Sequence, residues 1–235
     1  MADEITYGAY AEQKVRVNSF VTQVFQWMTG ALAITAIVAL VVSRTPAVYK
    51  TIFGNPALLI GLVIAEIGMV IAISWGINRI SAATAGVLLV LFSAVNGLTL
   101  SVIFLVYTAT SVTTTFFVCA GIFGAMSVYG YLTKRDLTAI GNLCIMGLVG
   151  IIIASIVNMF AASSGMYWAI TYIGVFVFIG LTAYDTQKIK QMALSIDGRQ
   201  AGETVQKAAI IGALALYLDF INLFLLLLRL FGRER

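Results

Sequence analysis

Seven apolar runs, each long enough to cross a bilayer as a helix, fall at 20–43, 56–77, 83–107, 112–131, 138–161, 166–188 and 207–230 of this 235-residue chain. A hydrocarbon core of about 30 Å takes roughly 20 residues of helix. Helices are required, because an open sheet would leave its backbone unpaired in lipid. Two connections, 108–111 and 162–165, are so short that the runs they join are expected as antiparallel hairpins. The composition agrees, with 61% of residues apolar and 10% charged. A soluble domain carries about 25% charged residues, and a chain of this size could not coat an aqueous surface with so few. A soluble enzyme, a disordered chain and a nucleic-acid-binding module are thereby excluded. The expected fold class is an all-α integral membrane protein, with a polar arm at 1–19 and one membrane domain at 20–232.

The net charge of +4 is a topological signal rather than a nucleic-acid one. With the N-terminus inside, the inner side carries nine basic residues: Lys14, Arg16, Arg79, Lys134, Arg135, Lys188, Lys190, Arg199 and Lys207. The outer side carries five: Arg44, Lys50, Arg229, Arg233 and Arg235. The bias favours a cytoplasmic N-terminus. Three of the five outer charges lie at the C-terminus, so either the last helix stops short of crossing or that end tolerates a basic tail. The first run is too long for a signal-peptide core, and no cleaved leader is expected. Gly121 and Gly124 in the fourth run, and Gly147 and Gly150 in the fifth, are expected to permit close helix approach.

The chain has no histidine, which removes HExxH zinc chemistry and Ser-His dyads. Cys119 and Cys144 both lie inside apolar runs and read as buried small hydrophobes. No cofactor is expected, and a metal-ligating set is not identifiable.

Of ten acidic residues, three lie within the runs: Glu66, Asp185 and Asp219. A charge at mid-membrane costs at least about 2.5–3.5 kcal/mol, so each needs a partner, a wet cavity or a proton. A polar, glycine-containing loop is expected at Asp197–Gly198–Arg199–Gln200–Ala201–Gly202–Glu203, and the midpoint between Asp185 and Asp219, residue 202, falls inside it. If both helices continue that far, each aspartate sits about 18 Å below the hairpin tip. Two carboxyl groups facing each other at one depth would share a proton and could gate a passage or relay protons. Glu66 reads equally as a third acid and cation contact in that cavity, or as a protonated acid hydrogen-bonded between helices. Asn222 follows Asp219 by three positions on the same helix face and is a second candidate ion contact. Asn96 and Asn158 read as interhelical hydrogen-bonding residues.

The stretches Tyr184–Asp185–Thr186–Gln187–Lys188–Ile189–Lys190 and Leu216–Tyr217–Leu218–Asp219–Phe220–Ile221–Asn222–Leu223–Phe224 resemble the Bax inhibitor-1 (transmembrane Bax inhibitor motif) family. Asn96–Gly97–Leu98–Thr99 and Lys134–Arg135–Asp136–Leu137 match as well, and the resemblance runs from about residue 20 to 232. Chains without glycosylation sequons, as here, resemble the bacterial branch. The resemblance implies six helices around a central C-terminal seventh, and a pH-sensitive calcium leak with an aspartate-pair sensor at Asp185 and Asp219. It further implies an arginine near the end of the second helix; Ile77 stands at that place and Arg79, the nearest arginine, is the candidate charge partner. Calcium as permeant ion, membrane lipid, other membrane proteins and a bacterial inner membrane are the implied surroundings.

Three rivals bear on the aspartates. Intramembrane aspartyl proteases share the Tyr184–Asp185 pattern but need a GxGD at the second aspartate, where this chain has Tyr217–Leu218–Asp219–Phe220. A non-transporting regulator of a protease or other membrane complex would not require a costly acid pair. A proton-coupled transporter would be expected to show broken helices or inverted repeats, and the two prolines, Pro46 and Pro56, both lie at a connection.

Overall fold

The computed structural model describes residues 2–196 and 202–235, with side chains from residue 12 onward. Nine helices form among these residues: α1 (Ala2–Ser43), α2 (Pro46–Gly54), α3 (Pro56–Gly76), α4 (Ala82–Leu100), α5 (Val102–Val106), α6 (Ala109–Leu132), α7 (Thr138–Ala161), α8 (Ser164–Ser195) and α9 (Gly202–Phe231). Seven stretches are long and apolar enough to cross a membrane, α4 and α5 counting together as one. The chain is an all-α integral membrane protein. Its outward residues confirm the solvent: Trp75, Met159, Phe160 and Phe176 are exposed, a surface that only lipid accommodates at this scale.

The element boundaries depart from the apolar runs in four places. The arm is helical from Ala2 and runs unbroken into the first span, with Glu12, Lys14 and Arg16 exposed along it. The connection at 44–55 holds the short helix α2, begun by Pro46 at its first turn; Asn55 Oδ1 then accepts from Ala57 and Leu58 N–H at 3.1 and 3.3 Å to start α3. The third run is interrupted at Ser101, whose hydroxyl donates to Leu98 O at 2.7 Å. Such back-bonding competes with the regular helix ladder, and α4 stops there. Finally α8 continues to Ser195 and α9 begins at Gly202, because polar residues extend a helix beyond its apolar part. Of the loop expected at 197–203, Gly202 and Glu203 belong instead to the first turn of α9, and residues 197–201 lie outside the described residues.

Two compact units divide the fold, and α8 and α9 contribute to both: Met1–Leu105 with Ile189–Tyr217, and Val106–Lys188 with Leu218–Arg235. In the first unit α1 packs on α4, and α4 on α3. Lipid tails are as apolar as leucine, so close packing rather than hydrophobic transfer must hold helices together here. Gly97 supplies it: a Cβ on Gly97 would fall 2.8 Å from Thr35 O and from Val38 Cβ. Gly86 lies under the Trp27 ring. Ala209, Ile210, Ala213 and Leu216 of α9 are buried in this unit.

The second unit repeats the device with other glycines. A Cβ on Gly130 of α6 would collide with the Ala183 carbonyl of α8, and one on Gly141 of α7 with the Tyr184 ring. Gly180 faces Cys144 Sγ, and Gly174 faces Leu226. A Cβ on Gly147 would fall 2.9 Å from Val177 Cγ2, a close approach as expected, but Gly121, Gly124 and Gly150 have open space around them. Helices that are apolar all round offer no polar face to show which glycine points inward. Phe220 of α9 is gripped edge-on by Phe116 and Phe123 of α6, at 5.6 and 5.3 Å between centroids. Cys119 and Cys144 are buried free thiols. In both units α9 is the buried element: 72% of its most apolar stretch is buried, against 6% for α3 and α7.

The C-terminal tail is tied down. Thr108 N–H donates to Arg233 O at 3.0 Å, Arg235 N–H to Val106 O at 2.9 Å and Arg233 N–H to Ser111 Oγ at 3.0 Å. The last helix is a full 30 residues, with Arg229 in its last turn and Arg233 and Arg235 in the tail beyond it.

Candidate functional site

Asp185 of α8 and Asp219 of α9 both belong to the second unit. Their carboxyl groups stand within hydrogen-bonding reach of each other. Asp219 is 5% exposed and Asp185 half-buried. No N–H or hydroxyl among the described residues reaches Asp219 Oδ2. The charged group acting on the pair is Lys188, one turn beyond Asp185 and exposed.

The residues flanking each aspartate hold it there. Ala183 lies on Gly130 and Tyr184 on Gly141, so α6 and α7 clamp the α8 backbone just before Asp185. Gln187, buried just after it, accepts from Leu137 N–H at 2.9 Å and donates to Arg135 O at 2.8 Å. That pair of bonds fastens the Lys134–Arg135–Asp136–Leu137 turn to the helix carrying Asp185. Within the turn, Asp136 Oδ1 accepts from the Thr138 hydroxyl at 2.6 Å and Thr138 N–H at 2.9 Å, opening α7. These bonds favour the ionised form and hold the Asp136 carboxyl below the ordinary carboxylate range. On the other side, Phe220 in its aromatic grip orients the turn of α9 that bears Asp219.

The remaining intramembrane acid belongs to the first unit. Glu66 of α3 accepts from Thr99 Oγ1 at 2.8 Å and from Asn96 Nδ2 at 3.5 Å, both on α4. Asn96 Oδ1 accepts from Tyr217 OH at 3.3 Å, and Tyr217 OH lies 2.7 Å from Thr35 Oγ1 of α1. A line of polar side chains thus joins α3, α4, α9 and α1. Both of Glu66's partners lie on α4, so its hydrogen bonds run between helices. Asn96 likewise bonds between helices, whereas Asn158 does not: its Oδ1 accepts from Ser163 N–H at 2.9 Å and closes the turn after its own helix.

Asn222 sits one turn beyond Asp219, half-buried, with Nδ2 bonded to Leu218 O at 2.7 Å and a side lining a cavity of the second unit. Arg79 is exposed in the turn after α3, where its N–H donates to Gly76 O at 2.8 Å; Ile77 is buried. Among the described residues no cluster of three metal-ligating side chains occurs. Two residues that reading the sequence by charge passed over prove central: Gln187 and Tyr217, uncharged members of the two aspartate stretches.

A family model described as "Inhibitor of apoptosis-promoting Bax1" matches residues 17–235. Inner membrane protein YbhL of Escherichia coli K12 is 51% identical over 224 residues, covering 95% of this chain and 95% of that one. An uncharacterized protein of Borreliella burgdorferi is 46% identical over 218 residues, covering 93% of each. An uncharacterized membrane protein of Streptococcus pyogenes serotype M1 is 34% identical over 227 residues, covering 96% of this chain and 97% of its own.

Proposed function

This chain belongs to the inhibitor of apoptosis-promoting Bax1 family, and from that premise we propose that it is a pH-sensitive calcium leak channel gated by the Asp185–Asp219 pair. The observation that carries the reading is the carboxyl-to-carboxyl contact of two intramembrane aspartates on different helices. A carboxylate offers no hydrogen to another carboxylate, so the contact requires a shared proton, and the pair titrates as one unit. Losing that proton leaves two like charges at hydrogen-bond distance in a poorly hydrated place, which drives α8 and α9 apart at this level. Protonation state is thereby converted into helix separation, which is what a pH-controlled gate needs.

The role is non-enzymatic in this reading, because the backbone beside Asp219 is unbroken helix, with Leu216 and Leu218 where a protease of the two-aspartate class carries glycine. Asn222, one turn beyond Asp219 on the same helix, is the proposed ion contact, and Arg79 is the proposed charge partner. The membrane is a bacterial inner membrane, by analogy with the Escherichia coli relative's name. The lysine and arginine bias supports a cytoplasmic N-terminus.

The test is calcium flux into liposomes across a range of pH, with wild type, Asp185→Asn and Asp219→Asn. Flux should vary with pH in wild type and become flat in both variants. A wild type that passes no calcium at any pH sinks the channel reading and favours a non-transporting regulator; variants with an unchanged pH profile sink the aspartate gate alone.

A further inference from the structure

The second unit has a cavity of about 550 Å³ where α7, α8 and α9 meet, and it opens sideways. Ile152 and Ile156 of α7 form one wall and are more than half exposed, so the opening is apolar. The floor is the close contact of α8 and α9, where Leu226 lies on Gly174. From Leu148 to Met159 the cavity follows α7 for about 16 Å. Only one end is charged. There Arg229 stacks over the Tyr167 ring, 5.4 Å from its centroid, with Asn158 beside them.

This is an amphiphile's mould: a long apolar slot open to the membrane, with a guanidinium at its end. We propose that the groove between α7, α8 and α9 binds an anionic phospholipid, its phosphate on Arg229 and an acyl chain along Ile152 and Ile156. A lateral opening with exposed isoleucine walls in a membrane-spanning chain is filled by lipid tails of some kind; Arg229 makes the choice of headgroup. Stacking on Tyr167 occupies one face of the guanidinium and leaves its edge N–H donors in the fork geometry that matches phosphate oxygens. The charge complementarity extends past the groove, because Arg233 and Arg235 are exposed on the tail just beyond α9, with Glu234 the acid between them. Arg229 also lies in the last turn of α9, where a cation is favoured by the helix dipole alone. That structural role would be indifferent to which lipid surrounds the protein, and so it separates cleanly from the proposal.

The experiment is lipid titration of the purified full-length protein in detergent, read by native mass spectrometry and thermal unfolding. Phosphatidylglycerol, phosphatidylcholine and soluble glycerol 3-phosphate are compared on wild type, Arg229→Gln and Ile156→Trp. Wild type should prefer phosphatidylglycerol by roughly tenfold: both lipids bring a phosphodiester to Arg229, but the ammonium of choline offsets the attraction that the net negative headgroup keeps. Arg229→Gln should bind both lipids equally, and Ile156→Trp, which fills the slot, should lose tightly bound lipid of either kind. Equal affinity of wild type for the two lipids overturns the proposal, as does a preference that survives in Arg229→Gln. Equal stabilisation by glycerol 3-phosphate also overturns it, since a soluble phosphate would then suffice. If Arg229→Gln does not fold, the wild-type lipid comparison and Ile156→Trp still decide.

Discussion

The α-carbon of Gly130 lies directly against the main-chain carbonyl of Ala183, two residues before Asp185. A carbonyl in a helix ladder cannot swing aside as a side chain can, so a methyl group at position 130 must push α6 and α8 apart. Gly130→Ala should lower stability in detergent by about 1–3 kcal/mol, the range for overpacking. Gly121→Ala, with open space around it on the same helix, should leave thermal unfolding unchanged. Equal losses for the two would show that the α6–α8 contact does not set the effect, since helix propensity favours alanine at both positions.

The shared proton makes the aspartates a unit, and units are not additive. Asp185→Asn/Asp219→Asn should therefore change the pH profile of calcium flux no more than either single substitution does. Each single change already removes the shared acidic proton and the charge repulsion that follows its loss. A double variant whose effect equals the sum of the singles would mean that the two carboxyl groups act independently.

Tyr217 is fully buried and bonds to Thr35 and Asn96. Tyr217→Phe keeps the ring, its edge-to-face contact with Phe92 at 5.3 Å and the volume, removing only the hydroxyl. The loss should be about 0.6–1.7 kcal/mol, because interhelical hydrogen bonds in membranes are partly replaced in the unfolded state. Glu66→Gln retains the acceptor for Thr99 and should cost less than Tyr217→Phe in the same unfolding measurement. The reverse order would mean that the ionised carboxylate, rather than the hydroxyl at the middle of the line, holds these helices together.

Ala162, in the turn between α7 and α8, has φ 47°, the left-handed region. An L side chain there costs roughly 1–2 kcal/mol, and glycine is the residue that helix ends use at this position. Ala162→Gly should raise the unfolding temperature, by somewhat less than that range because glycine also gains freedom in the unfolded chain. A fall in unfolding temperature would show that the alanine methyl makes contacts outweighing the strain.

The seven crossings are legible because length and apolarity alone define a span; no periodicity has to be decoded. Their ends are less so. Lys188 and Lys190 look like the close of a helix, yet α8 runs on to Ser195, since helix hydrogen bonding is indifferent to whether side chains are apolar. The depth argument puts Asp185 and Asp219 at one level from chain spacing, but rotation about the helix axis is invisible to it. That rotation is set by Gly130, Gly141 and Gln187, whose contacts are long-range and leave no local mark. The same blindness made Gly121 and Gly124 look like contact points when they face open space.

The polar line through the first unit carries one further consequence. Tyr217 has a single phenolic hydrogen and two oxygens to offer it to, Asn96 Oδ1 and Thr35 Oγ1. If it points to Asn96, Thr35 points to Tyr217; if it points to Thr35, Thr35 is freed to point to the Ser93 carbonyl, 2.8 Å away. An amide of Asn96 turned toward Glu66 selects the first arrangement. Over the same heavy atoms the line thus admits two arrangements of the Tyr217 and Thr35 hydrogens. The side chain that ranks them is Asn96, whose amide faces Glu66 with its nitrogen and Tyr217 with its oxygen.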